Sequence, residues 1–127
     1  MYICLDKKAN LIATYQYNPG TLYPVANNLY VDTNFNIYIY VNGNYVDYYS
    51  NGKVYKYGDA VCDYLSNGKF YRIGDMTFDY LQNGNIYRIG NACFDYYSDG
   101  RIYKIGESIF DYYSSGKIYK IGSNYVN

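Results

Sequence analysis

The chain has 127 residues, with 11 Lys or Arg and 11 Asp or Glu, so its formal net charge is zero. This length fits a single domain, and the balanced charge argues against nucleic acid or an anionic membrane as a partner. No apolar run approaches the ~18 residues of a membrane span. Residues 1–6 lack a signal-peptide pattern, so we expect a cytoplasmic protein, or a secreted one if a leader has been removed.

Residues 1–44 have the pattern of β-strands separated by turn-forming residues. No stretch shows helical periodicity, and Asn, Asp, Gly and Pro interrupt the apolar segments. We predict that this part is an irregular β-cap, or a set of degenerate repeats, that covers one end of the molecule. The predicted strands are Tyr2–Leu5, Leu11–Tyr17, Leu22–Ala26, Leu29–Asp32 and Ile37–Val41.

Residues 45–122 repeat with a period of 16 residues. Each unit contains an Asp-Tyr pair, a glycine in a turn and a Tyr-x-x-Gly segment, which is typical of a two-stranded hairpin. The chain is therefore predicted to be one all-β domain of five tandem hairpin repeats over residues 1–127. The Tyr-x-x-Gly segments begin at Tyr55, Tyr71, Tyr87, Tyr103 and Tyr119.

The turn inside each unit sets the predicted register. Asn67-Gly68 favours a two-residue type I′ turn, in which Asp63 lies opposite Arg72 and Tyr64 lies opposite Tyr71. The same arithmetic places an acid opposite a base in every unit and places two tyrosines opposite each other on the other face. The predicted acid–base pairs are Asp47 with Lys56, Asp63 with Arg72, Asp79 with Arg88, Asp95 with Lys104, and Asp111 with Lys120.

A second turn follows each unit, and Gly58-Asp59 is its first example. Gly at the first central position favours a two-residue type II′ turn, so the strands form an antiparallel meander. An open array would expose long edges, so we favour a radial or closed arrangement, like a flower or a barrel, over an open solenoid. Residues 123–127 begin a sixth unit, and we expect this partial strand to close the array by pairing with a strand such as residues 2–6.

Tyrosine accounts for 23 of the 127 residues and supplies the candidate ligand-binding surface. If the predicted register holds, ten phenols lie on one face, and a dry core would have to satisfy ten hydroxyls. A wet tyrosine-lined pocket or axis avoids that problem and suits sugars or other flat polar ligands. The candidate residues are Tyr48, Tyr55, Tyr64, Tyr71, Tyr80, Tyr87, Tyr96, Tyr103, Tyr112 and Tyr119, with Tyr49, Tyr97 and Tyr113 as an external platform.

Catalytic, metal and cofactor sites are not predicted. The chain has no histidine, and its three cysteines have no CxxC spacing. Cys62 and Cys93 occupy repeat positions filled elsewhere by apolar or small residues, so we interpret them as packing residues. An enzyme would need a cleft in residues 1–44 that uses Asp6 or Asp32.

The units Asp95-Tyr-Tyr-Ser-Asp-Gly-Arg-Ile-Tyr103 and Asp111-Tyr-Tyr-Ser-Ser-Gly-Lys-Ile-Tyr119 resemble the tyrosine-aspartate repeats of large secreted bacterial proteins. They also resemble clostridial and choline-binding wall repeats, and small bacterial β-flower proteins of unknown function. This resemblance covers residues 45–122 and implies tyrosine-rich hairpins that form shells or solenoids, or a radial array. In the wall-binding proteins it implies choline or glycans held between aromatic side chains.

These observations favour a non-catalytic binding module that presents tyrosines to a small polar ligand, glycan-like or nucleotide-like, or to a protein partner. The alternative is a structural scaffold that self-associates into homo-oligomers and binds no small ligand. No cofactor is expected in either case.

Overall fold

The computed structural model describes residues 1–126 and contains sixteen β-strands with no helix in that range. Accordingly, none of the described residues belongs to a helix that would be long and apolar enough to cross a membrane. The strands are β1 Tyr2–Leu5, β2 Leu11–Tyr15, β3 Tyr23–Ala26, β4 Leu29–Val31, β5 Ile37–Tyr40, β6 Val46–Tyr48, β7 Val54–Tyr57, β8 Ala60–Tyr64, β9 Phe70–Ile73, β10 Met76–Tyr80, β11 Ile86–Ile89, β12 Ala92–Tyr96, β13 Ile102–Ile105, β14 Ser108–Tyr112, β15 Ile118–Ile121 and β16 Asn124–Tyr125.

The first five strands form one antiparallel sheet in the order β2-β1-β5-β4-β3. All five were predicted from the sequence within two residues at each end. Their inward side chains alternate with outward ones, so that Ile3 and Leu5 of β1 are fully buried on one face. We call this unit the N-terminal sheet.

The other eleven strands form a second antiparallel sheet in which each strand pairs with its neighbours in sequence, from β6 to β16. This confirms the predicted hairpin meander, and we call this unit the repeat array. Each five-residue strand pairs with the strand before it through its first two residues and with the strand after it through its last three. Successive hairpins are therefore joined through only part of each strand.

Buried side chains from the two sheets form one core. The N-terminal sheet contributes mainly aliphatic residues. From β9 on, the second strand of each hairpin adds two buried residues, such as Ile86 and Ile89 of β11. Burying each such side chain stabilises the fold by roughly 1.5–3 kcal/mol. The fully buried members include Ile3, Leu5, Leu29, Ile37, Ile39, Tyr57, Phe94, Phe110, Ile73, Ile86, Ile89 and Ile102.

Hydrogen bonds also join the two sheets at both ends of the strands. At one end, Ile86 N donates to Lys7 O at 2.8 Å and Lys7 Nζ donates to Gly100 O at 3.0 Å. At the other end, Ser108 Oγ donates to Val25 O at 3.1 Å. The N-terminal sheet therefore lies along several repeats, whereas the sequence predicted a cap over one end.

The turn inside each unit differs from the predicted type I′ turn. Gly68 N donates to Leu65 O at 2.9 Å, and Leu65 N donates to Lys69 O at 2.8 Å. Gly68 has φ +91°, whereas Asn67 is not among the residues with positive φ. This is a three-residue loop, Ser66 to Gly68, built from a type I turn followed by a left-handed residue. The prediction of a two-residue turn is wrong.

The turn between units is the two-residue loop that the sequence predicted. Ile73 pairs with Met76, so only Gly74 and Asp75 lie between the strands. Gly74 has φ +62°, and Asp75 is not among the positive-φ residues, as a type II′ turn requires. The same turn recurs at Gly58, Gly90, Gly106 and Gly122, whose φ values lie between +54° and +62°.

The predicted closing strand has a different partner from the one expected. Strand β16 pairs with β15, while β1 is already paired on both sides, with β2 and β5. Pairing of residues 2–6 with the sixth unit is therefore wrong. Of the predicted segment 123–127, Asn127 lies outside the described residues.

Candidate functional site

The loop inside each unit changes which residues oppose the tyrosines. Asp79 pairs with Arg88, but the next pair joins Tyr80 to Ile86, so Tyr87 is skipped as the extra residue of a β-bulge. The predicted pairing of tyrosine with tyrosine is wrong in every unit. The observed partners are Tyr48 with Val54, Tyr64 with Phe70, Tyr80 with Ile86, Tyr96 with Ile102, and Tyr112 with Ile118.

The acid–base register is confirmed in all five units. Side-chain ion pairs form in two of them: Arg72 to Asp63 at 2.5 Å and Arg88 to Asp79 at 2.6 Å. In the other three units no ion pair links the opposed side chains within residues 1–126. These side chains lie at the surface, where such a pair contributes about 0–1 kcal/mol.

The ten candidate tyrosines divide into two columns instead of sharing one face. From the second unit on, the first tyrosine packs against the core, whereas Tyr48 holds the same place in the first unit but is exposed. The second tyrosine of each unit is the bulged residue on the solvent side. We call them the inner column and the outer column. The inner column is Tyr48, Tyr64, Tyr80, Tyr96 and Tyr112, and the outer column is Tyr55, Tyr71, Tyr87, Tyr103 and Tyr119.

Four inner hydroxyls are satisfied by the repeat itself. Each donates to the backbone carbonyl ten residues earlier, where the preceding unit begins its second strand. Since these phenols are bonded within the array, their hydroxyls are structural. The bonds are Tyr64 to Val54 at 2.8 Å, Tyr80 to Phe70 at 2.6 Å, Tyr96 to Ile86 at 2.6 Å, and Tyr112 to Ile102 at 2.5 Å.

Cations from the preceding turn cover several inner rings. Lys53 Nζ lies 4.8 Å from the ring centre of Tyr64, and Lys69 Nζ lies 5.0 Å from that of Tyr80. These distances fit cation–π contacts. The rings are therefore packed on that side by the array's own side chains, which leaves them little room to stack on a ligand.

Burial also fixes the protonation of the four inner tyrosines that pack against the core. It raises the pKa of Tyr64 and of Tyr112 to about 12 each. Burial likewise raises the pKa values of Tyr80 and Tyr96 above the ordinary tyrosine value. These four inner phenols are therefore neutral hydrogen-bond donors at physiological pH.

The outer column has the opposite character. Tyr55, Tyr71, Tyr87 and Tyr103 are each 38–47% exposed. None of the outer hydroxyls, including that of Tyr119, donates a hydrogen bond to another residue of the described range 1–126. The rings and hydroxyls of the outer column therefore face solvent.

Neighbouring side chains extend the outer column into a ridge. Tyr49 meets Tyr55 edge to face at 5.1 Å between ring centres, and Tyr97 meets Tyr103 at 5.3 Å in the same way. Thus the three tyrosines predicted as an external platform adjoin the outer column. The outer ridge comprises Tyr55, Tyr71, Tyr87, Tyr103 and Tyr119 together with Tyr49, Leu65, Leu81, Tyr97 and Tyr113, and all but Tyr119 of these are exposed.

The two carboxylates considered for catalysis hold loops. Asp6 Oδ1 accepts from the backbone N of Lys8 and of Asn10, each at 2.9 Å. Asp32 accepts four hydrogen bonds, the shortest from Tyr38 Oη at 2.7 Å. Both carboxylates are therefore engaged in hydrogen bonds that stabilise nearby loops.

Sequence reasoning missed a second group of tyrosines, on the face of the N-terminal sheet opposite to Ile37 and Ile39. Tyr2 packs against Tyr30 and Tyr40, and Tyr15 packs against Tyr38. The alternation of Ile and Tyr in β5, Ile37-Tyr-Ile-Tyr40, is the sequence signal that marks this face.

The cysteines differ from one another in burial. Cys62 is fully buried, as predicted, and Cys4 is buried in the N-terminal sheet. Cys93 is exposed because it lies opposite Arg88 on the solvent face, so its interpretation as a packing residue is wrong. Among residues 1–126, no group of three or more His, Cys, Asp or Glu side chains is placed to hold a metal ion.

Comparison of the chain with models of protein families, with curated proteins and with solved structures finds no match. The candidate site therefore rests on the chain's own geometry.

Proposed function

We propose that the protein is a non-catalytic binding module whose outer ridge engages an extended glycan chain. The observation that carries this proposal is the bulge repeated in every unit, which turns the second tyrosine outward with its hydroxyl free of intramolecular bonds. Many polar residues could occupy such a surface position. Tyrosine in all five units adds flat aromatic area with a polar tip.

The regular spacing of the ridge supports a polymer as its ligand. One outer tyrosine per 16-residue unit repeats the same contact along the array. A chain of like sugar units meets such a row several times, and each further contact is intramolecular once the first has formed. A repeated surface therefore gains affinity with ligand length, which a single small ligand cannot exploit.

The charge distribution beside the ridge favours a neutral ligand. Each cation that lies within a strand of the array is opposite an acid in the register, as with Arg72 and Asp63. These opposed charges leave no net field along the outer face for a polyanion such as nucleic acid. Sugar rings need no counter-charge, since they use apolar faces and hydroxyls against aromatic side chains.

We further propose that the repeat array curves around the N-terminal sheet in a radial arrangement. Contacts from the N-terminal sheet to Ile86, Gly100 and Ser108 span successive units. A curve of this kind places the inner column towards the N-terminal sheet and spreads the outer ridge over a convex surface.

The test uses oligosaccharides of increasing length as probes. Isothermal titration with cello-oligosaccharides and chito-oligosaccharides of one to six sugars should show affinity that rises with length. The combined variant Tyr71→Ala, Tyr87→Ala and Tyr103→Ala should abolish the length dependence, while the matching Tyr→Phe variant should retain most of it. Tyr80→Phe on the inner column is the control for general disturbance of the array.

Affinity that does not change with length, or that survives the triple Ala variant, would overturn the proposal. The alternative, a self-associating scaffold, is favoured by the exposed apolar character of the same ridge. Sedimentation of the same variants separates the two functions. Concentration-dependent oligomers that disappear in the triple Ala variant, with no glycan bound by the parent protein, would establish the scaffold.

A further inference from the structure

An open groove lies where the first two repeats meet the loop between β1 and β2. It has a volume of about 630 Å³, and its walls come from that loop, around Asn10, and from two turns of the array. Its lining includes Tyr48, Tyr57 and Tyr64, with Lys53 and Lys69. Small-molecule sites usually have volumes of this order. The groove is separate from the outer ridge.

The groove wall contains an unpartnered phenol. Tyr57 is 1% exposed, and its hydroxyl has no hydrogen-bond partner among residues 1–126. It occupies a repeat position that is Ile73 and Ile89 in the next units. A buried hydroxyl without a partner is unfavourable, whereas isoleucine carries no such group. The phenol therefore destabilises the free protein unless a group entering the groove binds to it.

One aromatic ring at the groove is uncovered. Tyr48 is the inner tyrosine of the first unit and is 65% exposed, because no earlier repeat supplies a cation to cover it. By contrast, Lys53 covers the ring of Tyr64. Tyr48 thus offers an open face on which a flat ring can stack.

The charge of the groove is positive. Lys53 and Lys69 are its charged lining residues, and no carboxylate lines it. Lys69 Nζ is anchored by Lys8 O at 2.7 Å, while the contact of Lys53 Nζ with Gly68 O is long, at 3.4 Å. Lys53 is therefore the cation that is most available to meet an anion.

We infer that this groove binds a phosphorylated ring compound, with the ring on Tyr48, the phosphate at Lys53 and a ligand oxygen at the Tyr57 hydroxyl. A sugar phosphate and a nucleoside monophosphate share this chemistry and fit the volume of the groove. Lys69 adds positive charge from its fixed position.

The experiment measures binding by isothermal titration with glucose 6-phosphate, adenosine monophosphate, glucose and inorganic phosphate. At least one of the two phosphorylated rings should bind ten-fold or more tighter than glucose and phosphate, and the tighter one identifies a sugar or a base as the stacking ring. Tyr57→Phe and Lys53→Gln should each weaken that binding about five- to ten-fold. Tyr48→Ala should weaken it as well, and Tyr48→Phe should restore it.

Lys117→Gln is the matched control, because Lys117 occupies the same turn position in the last unit, away from the groove. That substitution should leave affinity unchanged. A Tyr57→Phe protein that binds the phosphorylated ring as tightly as its parent and melts at a higher temperature would overturn the inference, since water would then be the partner of the phenol. Equal affinity for phosphate alone would also overturn it.

Discussion

The N-terminal sheet and the repeat array build the same three-residue loop from different residues. In the sheet, Ala9 N donates to Asp6 O and Asp6 N donates to Asn10 O, which is the bonding of the turn from Leu65 to Lys69 in the array. The left-handed position is Gly68 in the array, but Ala9 and Phe35 in the two sheet loops, with φ +61° and +65°.

The hydrogen-bond pattern, and not glycine alone, therefore defines this loop. Glycine adopts positive φ without strain. The array loop therefore needs only one side-chain hydrogen bond to support it, such as the bond that Lys69 N donates to Asn67 Oδ1. The sheet loops place bulkier residues at that position. They compensate through the carboxylates of Asp6 and Asp32, which accept three and four hydrogen bonds.

Alkali should unfold the whole protein, and the shape of this transition tests whether the two regions share one core. Burial raises the pKa of Tyr64 and Tyr112 to about 12, above the value of about 10 in an unfolded chain. The stability that these neutral phenols contribute is complete below pH ~10 and is lost as the pH rises towards 12. Absorbance at 295 nm and circular dichroism should report one cooperative transition. Two separate transitions would show that the N-terminal sheet and the array unfold independently.

The next largest effect concerns the turn at Gly58, which packs against the segment that links the two regions. A methyl group on Gly58 would lie 2.0 Å from Asn42 O, whereas one on Gly90 meets only Met76 Cγ at 3.7 Å. We expect Gly58→Ala to lower the free energy of unfolding by about 3 kcal/mol and Gly90→Ala by about 1 kcal/mol. Both glycines have the same turn geometry, so Gly90→Ala is the matched control. Equal losses in urea denaturation would contradict the contact.

Removing the loop carboxylate Asp32 from the N-terminal sheet should lower the free energy of unfolding more than removing the loop amide Asn67 from the array. Asp32→Ala deletes four accepted bonds and leaves the Tyr38 hydroxyl without its partner. We expect a loss of about 2–3 kcal/mol, against about 0.5–1 kcal/mol for Asn67→Ala. Chemical denaturation measures both, and a smaller loss for Asp32→Ala would show that its loop does not depend on the carboxylate.

Within the array, the inner and outer columns should respond differently to loss of a hydroxyl. Tyr96→Phe removes the 2.6 Å bond to Ile86 O and should destabilise the protein by about 1 kcal/mol. Tyr103→Phe removes a hydroxyl that faces solvent and should change stability by less than about 0.3 kcal/mol. If the two variants melt at the same temperature, the division into columns fails.

The smallest effect is expected at the acid–base ladder. Asp63→Asn breaks the ion pair with Arg72, in which both side chains are about two-fifths exposed. The loss should be below about 1 kcal/mol and should shrink in 1 M salt, since exposed pairs are screened. A loss above 2 kcal/mol that persists in high salt would show that the ladder determines stability as well as register.

Local chemistry made much of this fold predictable. The turn-forming residues between apolar segments identified the strands of the N-terminal sheet, and Gly58-Asp59 identified the turn between units. The hairpin loop was not predictable from Asn67-Gly68, because that pair suits both a two-residue turn and a three-residue loop ending in glycine. The difference of one residue between the two loops moves Tyr71 to the opposite face of the sheet. The signal that distinguishes the two loops is the apolar position at Phe70 and Ile86, which the two-residue turn would have exposed.

The site was less predictable than the fold. Tyr57 differs from Ile73 at the equivalent position by residue type alone, and the burial of its hydroxyl without a partner among residues 1–126 depends on packing that the sequence does not reveal. The N-terminal sheet packs along the array through contacts such as Lys7 with Gly100, which are far apart in sequence and follow no repeat.

Chemical modification of tyrosines, mapped by peptide mass spectrometry, tests the division into two columns most directly. Brief iodination of the native protein should label Tyr71, Tyr87 and Tyr103, while Tyr80 and Tyr96 should react only after unfolding. Equal labelling of Tyr80 and Tyr87 in the native protein would contradict the bulged register and remove the outer ridge with it.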